Sequence, residues 1–425
     1  MAEAPTPSAI EERQLDKLRK LLRAVHTSNR FYQEKFRGIE TEIESLADFT
    51  SRIPFTAKSD LVADQATAPP FGNNLTFPLD HYSRFHQTSG SKGTPLRWLD
   101  TEQNWRAMLQ HWTVIFDAAN VGATDRICFA FSFGPFIGFW LAFEAACKLG
   151  ALCIPGGGLS SKARLRLILE NEVTVLCCTP TYALRLREVA DQEAIDLSQS
   201  KLRLIIVAGE PGGSVPATRQ RIEASWPGAR VFDHHGMTEV GPVTYECPRQ
   251  PGLLHLIETA FFAEVIDPQS GATKPEGEEG ELVLTTLDRI GSPLIRYRTG
   301  DLARSRRFTP CTCGRYDLLL EGGILGRTDD MLVIRGVNVY PSAIEEIVNS
   351  TGEIAEYRVH VFRGKPLNEL SILIEPMGDC KDPSVAAARL ADLFHSKLAL
   401  RIPVTVASES LPRFEMKAQR WVTMD

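Results

Sequence analysis

Between residues 126 and 232 short apolar runs alternate with helical patterns, and that alternation leaves few folds open. Residues 126–133, 173–178, 202–207 and 229–232 read as strands. Residues 139–149 and 219–226 carry helical spacing. Strands alternating with helices imply a largely parallel sheet with helices on both faces. Ahead of this region Leu15, Leu18, Leu21, Leu22 and Val25 recur at helical spacing, with Lys, Arg and Asp between them. That spacing predicts an amphipathic surface helix.

After about Gly241 the pattern changes. Residues 264–267, 280–287 and 296–297 read as strands joined by Pro/Gly turns, a β-rich layer with little helix. Beyond Gly326 a compact α+β unit follows. It has a strand pair at 331–334 and 338–340, a helix at 342–350, strands at 358–361 and 370–375, and a helix at 385–398. The expected fold class is therefore α/β. A large N-terminal domain (1–328) has parallel and mixed sheets flanked by helices plus a β-rich layer. A small mobile α+β domain (329–425) follows it.

Composition narrows function by exclusion. The chain has 425 residues, with 47 Lys and Arg against 53 Asp and Glu, a net charge of −6. That balance lacks the basic footprint of a nucleic-acid binder. The N-terminal stretch lacks the basic and apolar regions of a secretory signal. The longest uncharged run, 127–143, is broken by Gly134, Pro135 and Gly138 and falls short of the ~20 apolar residues of a membrane span. The expectation is a cytoplasmic protein with reduced thiols. Cys128, Cys147, Cys153, Cys177 and Cys178 read as buried core thiols, and Cys380 lies in a loop-like stretch.

Three short segments carry chemistry. In Thr88-Ser89-Gly90-Ser91-Lys92-Gly93-Thr94-Pro95 small residues let backbone N–H groups approach phosphate oxygens, and hydroxyls add donors. The spacing is not that of a Walker A loop, and an exposed linker is the ordinary reading of such a run. His234-His235-Gly236-Met237-Thr238-Glu239 follows a strand, and strand ends are where open α/β sheets bind ligands. Thr238 can meet a phosphate and Glu239 a Mg²⁺ ion; a polar turn is the ordinary reading. In Arg296-Tyr297-Arg298-Thr299-Gly300-Asp301 an Asp after a tight Gly turn can accept from a ribose diol. A salt-bridged surface turn is the commoner fate.

The order of these motifs, with Gly326-Arg327-Thr328-Asp329-Asp330-Met331 and Arg335-Gly336-Val337-Asn338-Val339-Tyr340-Pro341 after them, resembles the adenylate-forming superfamily of acyl-CoA synthetases, luciferases and peptide-synthetase adenylation domains. The segments CCTPTYAL, Gly209-Glu210-Pro211, TEVGPVTYEC and IRYRTGDLAR look like its phenylacetate–CoA ligase branch. The resemblance implies ATP- and AMP-binding roles for Thr88, Ser89, Gly90, Ser91, Lys92 and Gly93 around the β/γ-phosphates. It puts Gly209, Glu210 and Pro211 beside adenine and the acyl pocket. His235 stands where the family usually has Tyr, followed by Gly236 and Met237. Thr238 would meet the α-phosphate, Glu239 would hold Mg²⁺, Asp301 the ribose, and Arg327 the nucleotide. Asp329 would be the hinge, and Lys417 the mobile catalytic lysine, preceded by Met416 where the family usually has Gly. The aromatic segment 131–140 would lie near the acyl pocket, with core packing as its ordinary reading.

Cys247, His255, Cys311 and Cys313 make a set of three thiols and one imidazole, the usual ligand count of a structural Zn²⁺ site. Free thiols and a surface histidine are the ordinary alternative. Similar cysteines in some phenylacetate–CoA ligase relatives favour zinc.

Together these readings imply ATP-dependent activation of an aromatic carboxylic acid to an acyl-adenylate with release of pyrophosphate, then transfer to CoA. Transfer to another acceptor (an amine, a carrier protein, a cofactor hydroxyl) is one alternative, and a non-catalytic nucleotide-binding regulator the other. Neither nucleic acid nor membrane is an expected partner, and a homodimer is compatible with the sequence.

Overall fold

The structure is a computed structural model describing residues 5–88, 95–307, 310–330, 332–335, 337–362, 368–414 and 419–424. Ser89, Gly90, Ser91, Lys92, Gly93 and Lys417 lie outside the described residues. Two compact units form from discontinuous chain: residues 1–158 with 232–324, and residues 159–231 with 325–425.

In the first unit the expected amphipathic helix runs Pro7–Ser28, with Thr6 as its N-cap. Leu18, Leu21, Leu22 and Val25 are buried against Tyr32, Phe36, Phe49 and Ile53, while Leu15 packs at the edge of this cluster. Burying side chains of this kind contributes roughly 1.5–3 kcal/mol each. The antiparallel strands Tyr82–Gln87 and Arg97–Thr101 bracket the phosphate-loop sequence. Thr101 then caps the helix Glu102–Ala118, which the sequence reading missed because its buried face mixes Asn104, His111 and aromatics.

The strand expected at 126–133 stops at Phe129. Ser132, Gly134, Pro135 and Gly138 turn the chain out, and the helix Trp140–Leu149 begins at its expected place and ends on Gly150 at φ 86°. Its return strand, Leu152–Pro155, pairs parallel with Arg126–Phe129. The β-rich layer is an antiparallel sheet in the order Thr244–Glu246, Leu253–Leu256, Leu319–Glu321, Tyr297–Arg306, Glu279–Thr286, Phe261–Ile266.

The second unit holds the parallel pair Val175–Cys178 and Leu204–Val207, buried throughout. Helices Ser161–Glu170, Pro180–Gln192 and Pro216–Ser225 belong to the same unit; two of them start with Pro in the first turn, where its missing N–H costs nothing. Its C-terminal part matches the expected α+β pattern. Helices Pro341–Ser350 and Pro383–Leu398 accompany a sheet in the order Val404–Val406, Glu369–Pro376, Ile354–Phe362, Trp421–Met424. Val359, Ile372, Ile344, Leu390 and Phe394 form its core. Among the described residues no helix is long and apolar enough to cross a membrane. Cys128, Cys177 and Cys178 are buried as expected, but Cys153 is half-buried and Cys147 is exposed. Cys147 falls on the outer face of its helix, which buries Leu141, Ala142, Ala145 and Ala146 instead.

Candidate active site

In the first unit the His-Gly-Met-Thr-Glu motif is a tight antiparallel turn. Gly236–Met237 pairs with Gly241–Pro242. A Cβ on Gly236 would lie 3.0 Å from the Gly241 carbonyl oxygen, so the close approach of the two strands favours glycine there. The His235 amide donates to Thr244 Oγ1 at 2.8 Å, and the His235 carbonyl accepts from the Val243 and Thr244 amides. This fixes His235 with its Nε2 3.2 Å from Asp301 Oδ2.

Asp301 is not in a surface turn. It is buried within the strand Tyr297–Arg306, at a bulge. Glu281 pairs with Leu302 and Val283 with Arg298, so residues 299–301 stand opposite Leu282 alone. Extra residues in one strand re-aim side chains. The bulge is held by Thr299 Oγ1 donating to the Leu282 carbonyl at 2.6 Å and by the Gly300 amide donating to Glu281 at 3.1 Å. Gly300 takes φ 75°, in the left-handed region.

Glu239 is buried, with Lys58 Nζ 3.8 Å from its carboxylate. The backbone of Thr238 and Glu239 is gripped by Arg289, whose Nη1 donates to both carbonyls at 2.9 and 2.6 Å. Arg289 in turn makes two 2.7 Å hydrogen bonds to Asp100. The sequence reading missed this clamp, since nothing in the local pattern ties positions 189 residues apart. Thr88, buried, closes the base of the phosphate-loop sequence. Its amide donates to the Leu96 carbonyl at 2.9 Å, and the Leu96 amide to Thr88 Oγ1 at 3.0 Å.

In the second unit Glu210 accepts from the Thr181 amide at 2.8 Å, a carboxylate at the N-terminus of helix Pro180–Gln192. Gly209 and Pro211 beside it are exposed, and Gly209 takes φ 93°. Arg327 Nε donates to Asp329 at 2.9 Å, a partly exposed pair.

Cys247, His255, Cys311 and Cys313 come together in the first unit, their donor atoms all within 4.8 Å of one another. Cys313 Sγ lies 3.3 Å from His255 Nε2, and Cys247 Sγ 3.8 Å from Cys311 Sγ. Tetrahedral bonds of ~2.0–2.3 Å to Zn²⁺ place neighbouring donors roughly 3.5–3.8 Å apart, a spacing these two pairs approach. Sheet register delivers His255 opposite Tyr245, whose ring stacks on it at 5.1 Å. Cys311 and Cys313 come from a tight turn in which Gly314 takes φ 82° and its amide donates to the Cys311 carbonyl.

A family model described as an AMP-binding enzyme matches residues 53–286, and one described as an AMP-binding enzyme C-terminal domain matches residues 336–424. The phenylacetate–coenzyme A ligase of Pseudomonas putida is 31% identical over 384 residues, covering 89% of this chain and 84% of that protein. A 2-hydroxyisobutyryl-CoA ligase, in its postadenylation state with 2-HIB-AMP, superposes with a TM-score of 0.94 at 28% identity, over 99% of this chain and 91% of that one. The same ligase with 2-HIB-AMP and CoA, in the thioesterification state, gives a TM-score of 0.75 at 29% identity over the same shares. The matches run through both the motif region and the C-terminal segment, and on them the chain belongs to the AMP-binding enzyme family, among the relatives of the phenylacetate–coenzyme A ligases.

Proposed function

We propose that this protein is an AMP-forming acid–CoA ligase acting on an aromatic, aryl or arylalkyl, carboxylic acid. The acid carboxylate attacks the α-phosphorus of ATP, pyrophosphate leaves, and an acyl-adenylate forms. The CoA thiol then attacks the acyl carbonyl and AMP leaves. The observation that carries the reading is the His235–Asp301 approach of 3.2 Å beside the clamped Thr238–Glu239 turn, in a chain of this family.

Each group has a task suited to its chemistry. Asp301, acceptor-only when ionised, receives the ribose hydroxyls. The flat ring of His235 lies along adenine, with Gly236 and Met237 continuing that wall and Gly209, Glu210 and Pro211 assigned beside adenine and the acid. Thr238 donates to the α-phosphate, and Arg327 pairs with the nucleotide. Residues 88–93 wrap the β/γ-phosphates. Glu239 is a buried carboxylate of the kind that holds Mg²⁺ together with substrate phosphates; the ion, when bound, neutralises phosphate charge. Lys417 meets charge developing at the α-phosphate. Asp329 is assigned as the hinge between 1–328 and 329–425, a division by motion rather than by packing. Cys247, His255, Cys311 and Cys313 are assigned to structural Zn²⁺. With four protein ligands no position would stay open for water, so a bound ion would supply closure of the fold and no chemistry. Reduced thiols suit a cytoplasmic setting.

The test is pyrophosphate release over a panel of carboxylic acids, with and without CoA. Release that depends on an aromatic acid, with AMP release that depends on CoA, is the expected result. Adenylate formation with AMP release indifferent to CoA assigns a different acceptor.

A further inference from the structure

His234 is a buried histidine that nothing so far employs. It follows the strand Arg230–Asp233 and directly precedes His235. It is 6% exposed, neither Nδ1 nor Nε2 makes a hydrogen bond of good geometry, and among the described residues the only polar group acting on the ring is the adjoining His235. The neighbouring amide of His235 donates elsewhere, to Thr244. Buried polar groups in folded proteins are nearly always paired, and each exception calls for an explanation.

What surrounds the ring is aromatic. Trp112 meets it edge-on with centroids 4.6 Å apart, and Phe139 at 6.3 Å. Phe139 packs on Phe131 at 5.0 Å, Phe131 on Phe133 at 4.6 Å, and Phe133 on Trp140 at 4.7 Å. Exposure rises along this chain of rings. Phe139 is buried, whereas Phe131, Phe133 and Trp140 are half-buried. A run of rings graded from buried to half-buried, with an imidazole at its buried end, has the composition of a ligand-pocket lining, mostly apolar with few placed polar groups.

We infer that His234 is the specificity-determining polar contact of the acid subsite, and that the acid carries a neutral hydroxyl or amino substituent which hydrogen-bonds to its ring. The inference rests on the acid-activating reading above and names the class of acid. A neutral imidazole offers one N–H donor and one lone pair, and a hydroxyl or amine can answer either. Burial, with His235 adding to it, holds the His234 pKa down at about 3, so the ring is neutral at physiological pH. A neutral ring gives no ion pair to a second carboxylate, so a dicarboxylic acid is disfavoured.

The experiment measures kcat/KM for pyrophosphate release with matched acids: benzoate and phenylacetate against their ring-hydroxylated and ring-aminated forms. Sites built to hydrogen-bond a substrate group reject the analogue that lacks it. Wild type should favour the substituted acids by about 10²-fold or more. His234→Phe should bring the ratio to within a few-fold of one, and His234→Gln, which keeps a donor and an acceptor, should retain part of it. Removing an unpaired buried polar group should also leave the melting temperature of His234→Phe at or above that of wild type. Equal wild-type rates on both members of each pair, or a preference that survives in His234→Phe, would overturn the inference while leaving the acid-activating reading intact. Pyrophosphate release from no acid in the panel sinks that reading and this inference with it.

Discussion

Arg289 and Asp100 show side-chain exposures of only 2% and 0%. Their two hydrogen bonds answer each other's charge, and the guanidinium still reaches the carbonyls of Thr238 and Glu239. Removing one partner of such a pair strands a buried charge, at about 3–5 kcal/mol. Replacing both by apolar groups of similar size is often neutral or better. Arg289→Met should therefore lower the melting temperature strongly. Arg289→Met with Asp100→Leu should recover much of that stability without recovering pyrophosphate release, because the grip on the Thr-Glu turn is gone. Thermal melts and release rates on the two variants decide it. Recovery of both properties in the double variant would make the clamp a matter of folding alone. No local pattern betrays such a pair, whereas His235, Glu239 and Asp301 were legible because their residue types are chemically distinctive and stand at fixed offsets from glycine.

At the scale of elements, the strand Tyr297–Arg306 shows where sequence reading stops short. Residues 296–297 read from sequence as a short strand because Thr299-Gly300-Asp301 reads as a turn. The long-range ladder with Glu279–Thr286 absorbs those residues as a bulge and carries the strand on to Arg306. The cluster of Cys247, His255, Cys311 and Cys313 was legible for the opposite reason: Cys and His stand out in any periodicity, although the sheet register that gathers them does not. Binding energy at a structural metal site is folding energy. Cys311→Ser should lower zinc content and melting temperature together while leaving the ranking of acids unchanged. Protein purified without added zinc that holds far less than one equivalent, with melting unmoved by chelator, would return these residues to ordinary thiols and an imidazole. The helix Pro341–Ser350 makes a separate prediction. Burial raises Glu345 from 4.5 to about 7, against the pull of Arg420 and Arg221 and with Glu210 and Glu356 adding to the rise. The fold thus favours the neutral acid. Its contribution is complete below the unfolded pKa and is lost as pH rises through about 7. Melting temperature followed from about pH 5 to about pH 8 should fall less steeply in Glu345→Gln than in wild type; parallel curves would remove Glu345 from the account.

At the scale of the whole molecule, the enzyme must serve two different attacks, first by the acid's carboxylate on the α-phosphorus of ATP and then by the CoA thiol on the acyl carbonyl. A single mobile segment can serve both if one residue absorbs a large backbone change. Asp329 is the candidate, partly exposed and bonded to Arg327 two residues away. The segment toward Lys417 is anchored near its start. Arg413 donates to Glu375 at 2.8 Å through both Nη atoms and to Glu188 at 2.9 Å through Nε, so the chain entering the lysine motif is held on two sides. That anchoring, on the last described residues before the lysine motif, suits the adenylation role proposed for Lys417. Proline fixes φ near about −65°, so Asp329→Pro should restrict the hinge, while it also removes the carboxylate that Arg327 pairs with. Pyrophosphate exchange should survive and thioester formation from preformed acyl-adenylate should fail. Lys417→Ala should do the reverse, lowering exchange by at least ~10²-fold, as removal of one preorganised donor does, while preformed adenylate still yields thioester. The two half-reactions, measured separately on both variants, form the test. Equal loss of both steps in folded Asp329→Pro would move the hinge elsewhere. Exchange near the wild-type rate in Lys417→Ala would pass its role to another cation, with Lys92 the first to examine.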